Sequence, residues 1–309
     1  MQEKNRTTVI EFFLLGFQVS QNCRIFLFTL LLVLYGGIIF GNLLIITLVS
    51  ASKNLHTPMY FFISQLSISD ILLPTDVVPN LLSIQLNNGT TITFTGCMAQ
   101  FYLFFTTEGF ECLLLTLMSY DRYVAICNPL HYISIMTGTL CVKLVIIFWF
   151  LCFFTSFIYI IIILGLKFCG PNIIDHLFCD LVPLQAISCS DTFPMKIQLY
   201  LLSIKFLIIP SMIIVISYAK IARAILQMPS NFSRQKAFST CSSHLTVVSI
   251  FYCMIFSVYI VPTSEQTSNV NKMLSLLYTV FTPLINPIIY SFRNKDIKKA
   301  VQEIILKYL

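Results

Sequence analysis

A few ionisable side chains interrupt stretches of this sequence that are otherwise almost wholly apolar: Asp70, Glu108, Glu111, Lys205 and the neighbours Asp121 and Arg122. An ionised group inside hydrocarbon is costly, so each of them needs a partner, a proton or a place at the membrane interface. Asp70 and Glu111 both fall in the middle of apolar runs, and two acids facing each other would share a proton or hold a cation. Glu108, in the same run as Glu111, and Lys205 of a later run lie at comparable depths and are expected to pair. Asp121, Arg122 and Tyr123 follow the apolar run that includes Leu113 to Met118 and mark the point where a helix leaves the bilayer. Asp121 and Arg122 can bond to each other or exchange partners with another helix, which makes them a two-state lock. The plainer alternative is an interfacial charge cluster that only anchors the helix. No phosphate loop, zinc motif or nucleophile–base set accompanies these groups, so an enzyme is not expected.

The elements that must position these groups are membrane helices. The chain of 309 residues is 57% hydrophobic and 10% charged, whereas a soluble domain carries about a quarter charged residues. Runs of about 20 apolar residues are long enough to span a bilayer as helices. Ile25–Ser52, Leu144–Leu166, Leu245–Ser264 and Met273–Phe292 carry no charge; Pro58–Leu82, Gly96–Tyr120 and Ile197–Ile221 are interrupted by the groups above. That makes seven spans in a single domain, 1–309: an N-terminal segment 1–24, a bundle 25–292 and a C-terminal tail 293–309. The fold class is therefore an all-α membrane protein, a seven-transmembrane helix bundle. Of the 19 Lys and Arg residues, seven spans place twelve on the face of the C-terminus and six on the other, with Lys205 inside a span. The positive-inside rule then puts the C-terminus in the cytosol and the N-terminus outside. The net charge of +6 is a topology signal, and no soluble basic domain supports a nucleic-acid partner.

Several segments carry a resemblance. MSYDRYVAICNPLHY (Met118 to Tyr132), LHTPMYFFISQLSISD (Leu55 to Asp70), KAFSTCSSHLTVV (Lys236 to Val248) and PLINPIIYSFRNKDIKKA (Pro283 to Ala300) occur in this order. Together with HLFCDL and SCSDT they resemble the odorant receptors, a branch of the rhodopsin-like G-protein-coupled receptors, over nearly the whole chain. The resemblance implies a plasma-membrane receptor whose partners are a small-molecule odorant, a heterotrimeric G protein of the stimulatory olfactory type and the lipid bilayer. Cyclic AMP is the expected output. It implies activation and coupling roles for Asp121, Arg122, Tyr123, Tyr218, Lys236, His244, Asn286, Pro287 and Tyr290. It also makes Asp70, Glu111 and Asn286 a sodium pocket, so the one expected cofactor is an allosteric sodium ion.

Ligand recognition is placed on the third span. Residues three and four apart share a helix face, so Phe104, Phe105, Glu108, Gly109 and Cys112 form an inward stripe. Aromatics beside a glycine suit a cavity for small apolar ligands. Leu202, Lys205 and Phe206 of the fifth span and Tyr252, Ile255, Phe256 and Tyr259 of the sixth complete the expected pocket, with Tyr252 under the ligand by the family reading. Ordinary helix packing is the alternative for all of these. Position 104 is Phe where amine receptors of the wider family carry an acid, and position 280 is Val where opsins carry the retinal-binding lysine.

Four of the eleven cysteines, Cys97, Cys169, Cys179 and Cys189, fall on the outer side and permit three connectivities. The resemblance selects Cys97 to Cys179 and Cys169 to Cys189; the other seven are expected to be thiols. Asn5-Arg6-Thr7 is a glycosylation sequon on the outer tail, and Asn88-Gly89-Thr90 is a second, close to the membrane. Phe12 to Val19 lacks a small-residue cleavage site and is not read as a signal peptide. His176 reads as a structural hydrogen-bonding residue. Gly37 and Gly41 are spaced for close helix packing. Pro210 is expected to bend the fifth span, and two prolines to weaken the seventh. Asn294 to Leu306 sets Ile297, Val301, Ile304 and Ile305 against Lys295, Lys298 and Lys299, the pattern of an amphipathic helix on the inner leaflet. A channel or transporter is the rival class, although paired half-repeats with broken helices are not visible.

Overall fold

The computed structural model describes residues 10–169, 171–190, 193–260, 268–293 and 297–302. Seven helices within them are long and apolar enough to cross a membrane. In hydrocarbon every backbone polar group must be satisfied within the chain, which is why the apolar runs fold as helices. Helix 1 is Gln21–Ala51, helix 2 Pro58–Asn87, helix 3 Phe94–Cys127 and helix 4 Gly138–Leu164. Helix 5 runs as Phe193–Ser203, a π-helical turn Ile204–Ile208 and Ile209–Leu226. Helix 6 is Asn231–Ile260, and helix 7 runs as Ser268–Leu276, a second π-helical turn Leu277–Phe281 and Thr282–Arg293.

Local sequence explains the starts and irregularities. Pro58 opens helix 2 in its first turn, where its missing N–H costs nothing. The Thr93 hydroxyl caps helix 3 by accepting from the Gly96 amide at 3.1 Å. Each π turn ends shortly before a proline, Pro210 in helix 5 and Pro283 in helix 7, so the expected irregularities take the form of an inserted residue.

Helix 3 is the axis of the bundle: 72% of its most apolar window is buried, against 22% for helices 4 and 5. The outer helices instead turn large apolar side chains such as Phe150, Phe154 and Val215 outward, because lipid is as apolar as a protein core. Helices 1 and 7 lie close together. A Cβ on Gly37 would stand 3.3 Å from Leu284, and one on Gly41 would stand 3.3 Å from Pro287. The two glycines thus serve tight packing. Between them the Asn42 amide donates to the carbonyls of Ile38 and Pro283, at 3.0 and 3.1 Å.

The outer end carries a small sheet that the mixed composition of the N-terminal segment did not announce. Strand β1, Glu11–Leu14, pairs antiparallel with β2, Thr90–Thr93, and parallel with β3, Ile173–Ile174. Phe12 and Leu14 point inward and are buried while Glu11 is exposed, the period-two pattern of a half-buried strand. Phe12 packs against the rings of Phe94 and Phe168, with centroids 5.9 and 5.3 Å away. At the other end residues 297–302 are helical, with Ile297 buried and Lys298 and Lys299 exposed. Ile304, Ile305 and Lys295 lie outside the described residues, as does Asn5.

Candidate functional site

Three layers of polar side chains occupy the bundle from outside to inside. The outer layer surrounds two chambers that share Glu108 and Ile255. The smaller, of about 30 Å³, lies among helices 3, 4, 5 and 6 and is lined by Phe105, Gly109, Cys112, Leu202 and Phe206 together with Cys152, Thr155 and Ser156 of helix 4. The larger, of about 160 Å³, lies under the outer loop and is lined by Phe104, Phe178, Asp180, Asn271, Ser275 and Tyr278, among others. Eight of the twelve expected pocket residues line one chamber or the other: Phe104, Phe105, Glu108, Gly109, Cys112, Leu202, Phe206 and Ile255. Gly109 makes room, since a Cβ there would meet the Cys152 sulfur at 3.3 Å and the Phe206 ring at 3.4 Å. Tyr252 lies deeper, packed between Phe251 and Phe256, with Cys112 and Thr116 beside its phenol. Tyr252 and Phe256 are outside the lining of both chambers, and the side chain of Tyr259 is outside the described residues.

The expected Glu108–Lys205 pair does not form. Lys205 is exposed on the outer face of helix 5, where Nζ donates to the Thr155 hydroxyl at 3.3 Å and stands 5.0 Å from the Phe206 ring centre. The cause is the π turn: an extra residue in one turn rotates the helix surface by roughly 100°, and Phe206 and Leu207, not Lys205, are buried there. Glu108 instead faces the Tyr278 phenol of helix 7 and Asp180 of the outer loop.

The outer loop is fastened over the chambers. Cys97 and Cys179 are joined with Cα atoms 5.5 Å apart, and Cys169 and Cys189 with Cα atoms 5.7 Å apart, the two pairings that the resemblance implied. The other seven cysteines are free. Gln100 ties three elements by donating to the Asp76 carbonyl and accepting from the Cys179 amide, each at 3.0 Å. His176 is buried, with Nδ1 3.2 Å from the Phe178 carbonyl and Nε2 3.3 Å from the Ser275 hydroxyl. Its burial lowers its pKa and keeps the ring neutral. It is the hydrogen-bonding residue expected from sequence, and it also lines the larger chamber.

Lys272 at the start of helix 7 is the knot of this cap. It is 2% exposed and donates to Asp175 at 2.5 Å and to the Gly16 carbonyl at 2.9 Å, so one ammonium holds helix 7, the loop and the N-terminal segment. Gly16 presents that carbonyl from a φ of +67°, a left-handed conformation that glycine adopts without strain. Partial burial would raise the pKa of Asp175, but its bonds from Lys272 and Ser268 outweigh it and hold the carboxyl below its ordinary range. A carboxyl with a depressed folded-state pKa adds stability above its unfolded value, about 3.9, and loses it as the pH falls through the folded value. Lys272→Met is therefore expected to lower the thermal midpoint of purified receptor at neutral pH. The wild-type advantage should persist down to about pH 4 and vanish below, as read by thermal unfolding in a pH series.

The middle layer joins helices 2, 3 and 7. Asp70 is 1% exposed and accepts twice from the Asn286 amide, at 2.9 and 3.1 Å. Glu111 accepts from the Ser69 hydroxyl at 3.0 Å and acts on Asp70 electrostatically. The two acids thus occupy one site but use separate partners. Carboxylate, hydroxyl and amide oxygens are the donor set of a hard cation, so the residues suit sodium. No group of three or more His, Cys, Asp or Glu gathers into a metal cluster among the described residues.

The inner layer brings together residues expected to form the lock, with one neighbour that spacing did not reveal. Arg122 donates to Asp121 from Nε at 2.9 Å and from Nη2 at 2.5 Å. Tyr132 donates to the other carboxylate oxygen at 2.9 Å. The 3₁₀ turn Pro129–His131 folds Tyr132 back toward helix 3. Burial pushes the Tyr132 phenol pKa up, so its proton stays in place as a donor. Tyr218 and His244 bond to each other across helices 5 and 6 at 2.5 Å, close enough to Arg122 to interact with its charge. Tyr123 lies under the Lys220 ammonium at 5.2 Å. Tyr290 is 2% exposed, and its electrostatic neighbours are Asp70 on one side and Tyr218 and Arg122 on the other. Pro287 sits within helix 7, and the side chain of Lys236 lies outside the described residues.

Seven membrane helices surround a cavity beneath the loop and carry the Asp121–Arg122 pair at the opposite end, the layout of a membrane receptor. A family profile described as "Olfactory receptor" matches residues 30–308, and the chain belongs to that family. It is 41% identical to mouse Olfactory receptor 1E16 over 99% of this chain and 98% of that protein. Identity to human Olfactory receptor 11L1 is 43%, over 98% of this chain and 94% of the relative. Rat Olfactory receptor 1468 is 40% identical over 99% and 98%. The chain is accordingly an odorant receptor of the G-protein-coupled class and a multi-pass protein of the plasma membrane.

Proposed function

We propose that small, mostly apolar odorants enter from outside, occupy the chambers around Glu108 and shift the receptor to a state that activates a stimulatory heterotrimeric G protein and raises cyclic AMP. The observation that carries this reading is the cavity beneath the disulfide-fastened loop, walled in part by Phe104, Phe178 and Tyr278. A ligand can move a two-state equilibrium only by its differential affinity for the two states. The chambers are bounded by helices 3, 5, 6 and 7, so an occupant can bias how helices 6 and 7 sit against helix 3. The inner face reads that bias when helix 6 moves away from Arg122 and opens a crevice for the G protein.

In this reading the N-terminus lies outside, with Asn5 glycosylated, and the C-terminus is cytosolic with the residues around Ile297 on the inner leaflet. Asp70, Glu111 and Asn286 hold a sodium ion, whose charge offsets the two acids; Tyr290, next along helix 7, links that layer to the lock. The test is a panel of volatile compounds applied to cells expressing the receptor, with cyclic AMP as the output. At least one compound should raise cyclic AMP in a dose-dependent way, and the rise should disappear in cells lacking the stimulatory α subunit. A ligand-evoked current that persists without G-protein signalling would replace this reading with a channel.

A further inference from the structure

The larger chamber has an uncompensated acidity that an apolar ligand alone does not answer. Two carboxyl side chains, Glu108 and Asp180, line it and act on each other electrostatically. Among the described residues no lysine or arginine lines it. Lys205 is turned to the outer face of helix 5, and Lys272 is committed to Asp175 and Gly16. His176, the basic group in the wall, is held neutral by burial. Asp180 spends one carboxylate oxygen on the Leu181 amide at 2.6 Å.

A second, independent observation comes from helix 7. Asn271 is 7% exposed, lines the same chamber, and neither its amide oxygen nor its amide nitrogen has a hydrogen-bond partner among the described residues. Buried polar atoms are nearly always satisfied, so an unmatched amide on a residue of the cavity wall points to a polar group on the occupant. Beside the aliphatic Leu181, Leu199 and Ile255, three rings line the wall: Phe104 lies 4.8 Å from the Phe178 ring and 5.9 Å from the Tyr278 ring, edge-on to the latter. Ring faces beside carboxyl groups attract cations, whereas an anionic ligand would meet two groups of its own sign.

We propose that the larger chamber takes a small aliphatic amine in its protonated form, the ammonium lodged between Glu108 and Asp180, with the Asn271 amide oxygen as a further acceptor and the hydrocarbon against Phe104 and Phe178. This deepens the odorant reading and rests on it. Phe at position 104 is no obstacle, because Glu108 supplies the acid one helical turn further in. The size agrees: a cavity of about 150 Å³ accepts benzene, so a six-membered ring with one amino group fits.

Purified receptor titrated at neutral pH with cyclohexylamine and with cyclohexanol, nearly the same in shape, gives the test, with the thermal unfolding midpoint as readout. The amine should act at a concentration about tenfold lower or more, the advantage of a charge-assisted over a neutral hydrogen bond. Glu108→Gln should bring the two compounds to within about threefold of each other, and Asp180→Asn should narrow the gap by less. Equal potency on the unmodified receptor, or an amine preference that survives both substitutions, overturns the amine assignment. Stabilisation by neutral volatiles but not by cyclohexylamine does the same while leaving the odorant reading intact. If no volatile compound of any class stabilises the receptor, both readings fall.

Discussion

Arg122→Gln is expected to leave the receptor at the cell surface and to abolish ligand-evoked cyclic AMP. Arg122 is bonded to a carboxylate that is fully buried, and Tyr132 holds the other oxygen of that carboxylate. Removing one partner of a buried charge pair costs roughly 3–5 kcal/mol, because the other charge stays behind uncompensated. Arg122→Ala takes that whole loss, softened only by the Tyr132 bond, whereas Gln keeps an amide donor for Asp121. Comparing the two separates folding from signalling. Surface labelling should show Gln near the wild-type level and Ala at or below it, while both are silent to agonist. The complementary change, Asp121→Asn, frees the guanidinium and should raise signalling in the absence of ligand. Normal agonist responses from Arg122→Gln at wild-type surface density would remove the lock from the account.

Loss of the Cys97–Cys179 bond should have the largest effect on folding. That bond closes a separation of 82 residues and pins the loop to the top of helix 3; Cys169–Cys189 closes a separation of 20. By loop-closure entropy the two constrain the unfolded chain by about 4.5 and about 3.3 kcal/mol. The long-range bond also holds Cys179 where its amide reaches Gln100 and where Phe178 and Asp180 wall the larger chamber. Cys179→Ser should therefore remove nearly all surface receptor, and Cys189→Ser only part of it. Surface immunolabelling of intact cells gives the ranking, and the reverse order would contradict the assigned roles.

Much of the architecture was legible because the bilayer leaves few choices. Seven apolar runs of spanning length can only be helices. The disulfides and the lock residues came from motif resemblance, and the geometry joins them as expected. What escaped had no local signature. Tyr132 reaches Asp121 only because the turn at Pro129 folds back, and sequence spacing does not encode that. Lys205 was misplaced because a π turn shifts the helix face, while a periodicity argument assumes 3.6 residues per turn throughout. Cys152, Thr155 and Ser156 entered the smaller chamber from helix 4, a span so uniformly apolar that no face of it stands out. Asn271 and Tyr278 were hidden for the opposite reason, being an ordinary polar residue in the first turn of helix 7 and an ordinary aromatic in its π turn. β1 carried little signal: Glu11, Phe12, Phe13 and Leu14 do not alternate in polarity, and the strands they pair with lie far away in sequence.

The central claim is that ligand is held beneath the outer loop and sensed at Arg122. Photo-crosslinking an agonist that carries a diazirine, followed by peptide mapping, addresses it most directly. Labels should fall on Phe104, Phe178 or Tyr278 and be displaced by unlabelled agonist. Specific labelling confined to the lipid-facing surfaces of helices 1, 4 or 5 would contradict it.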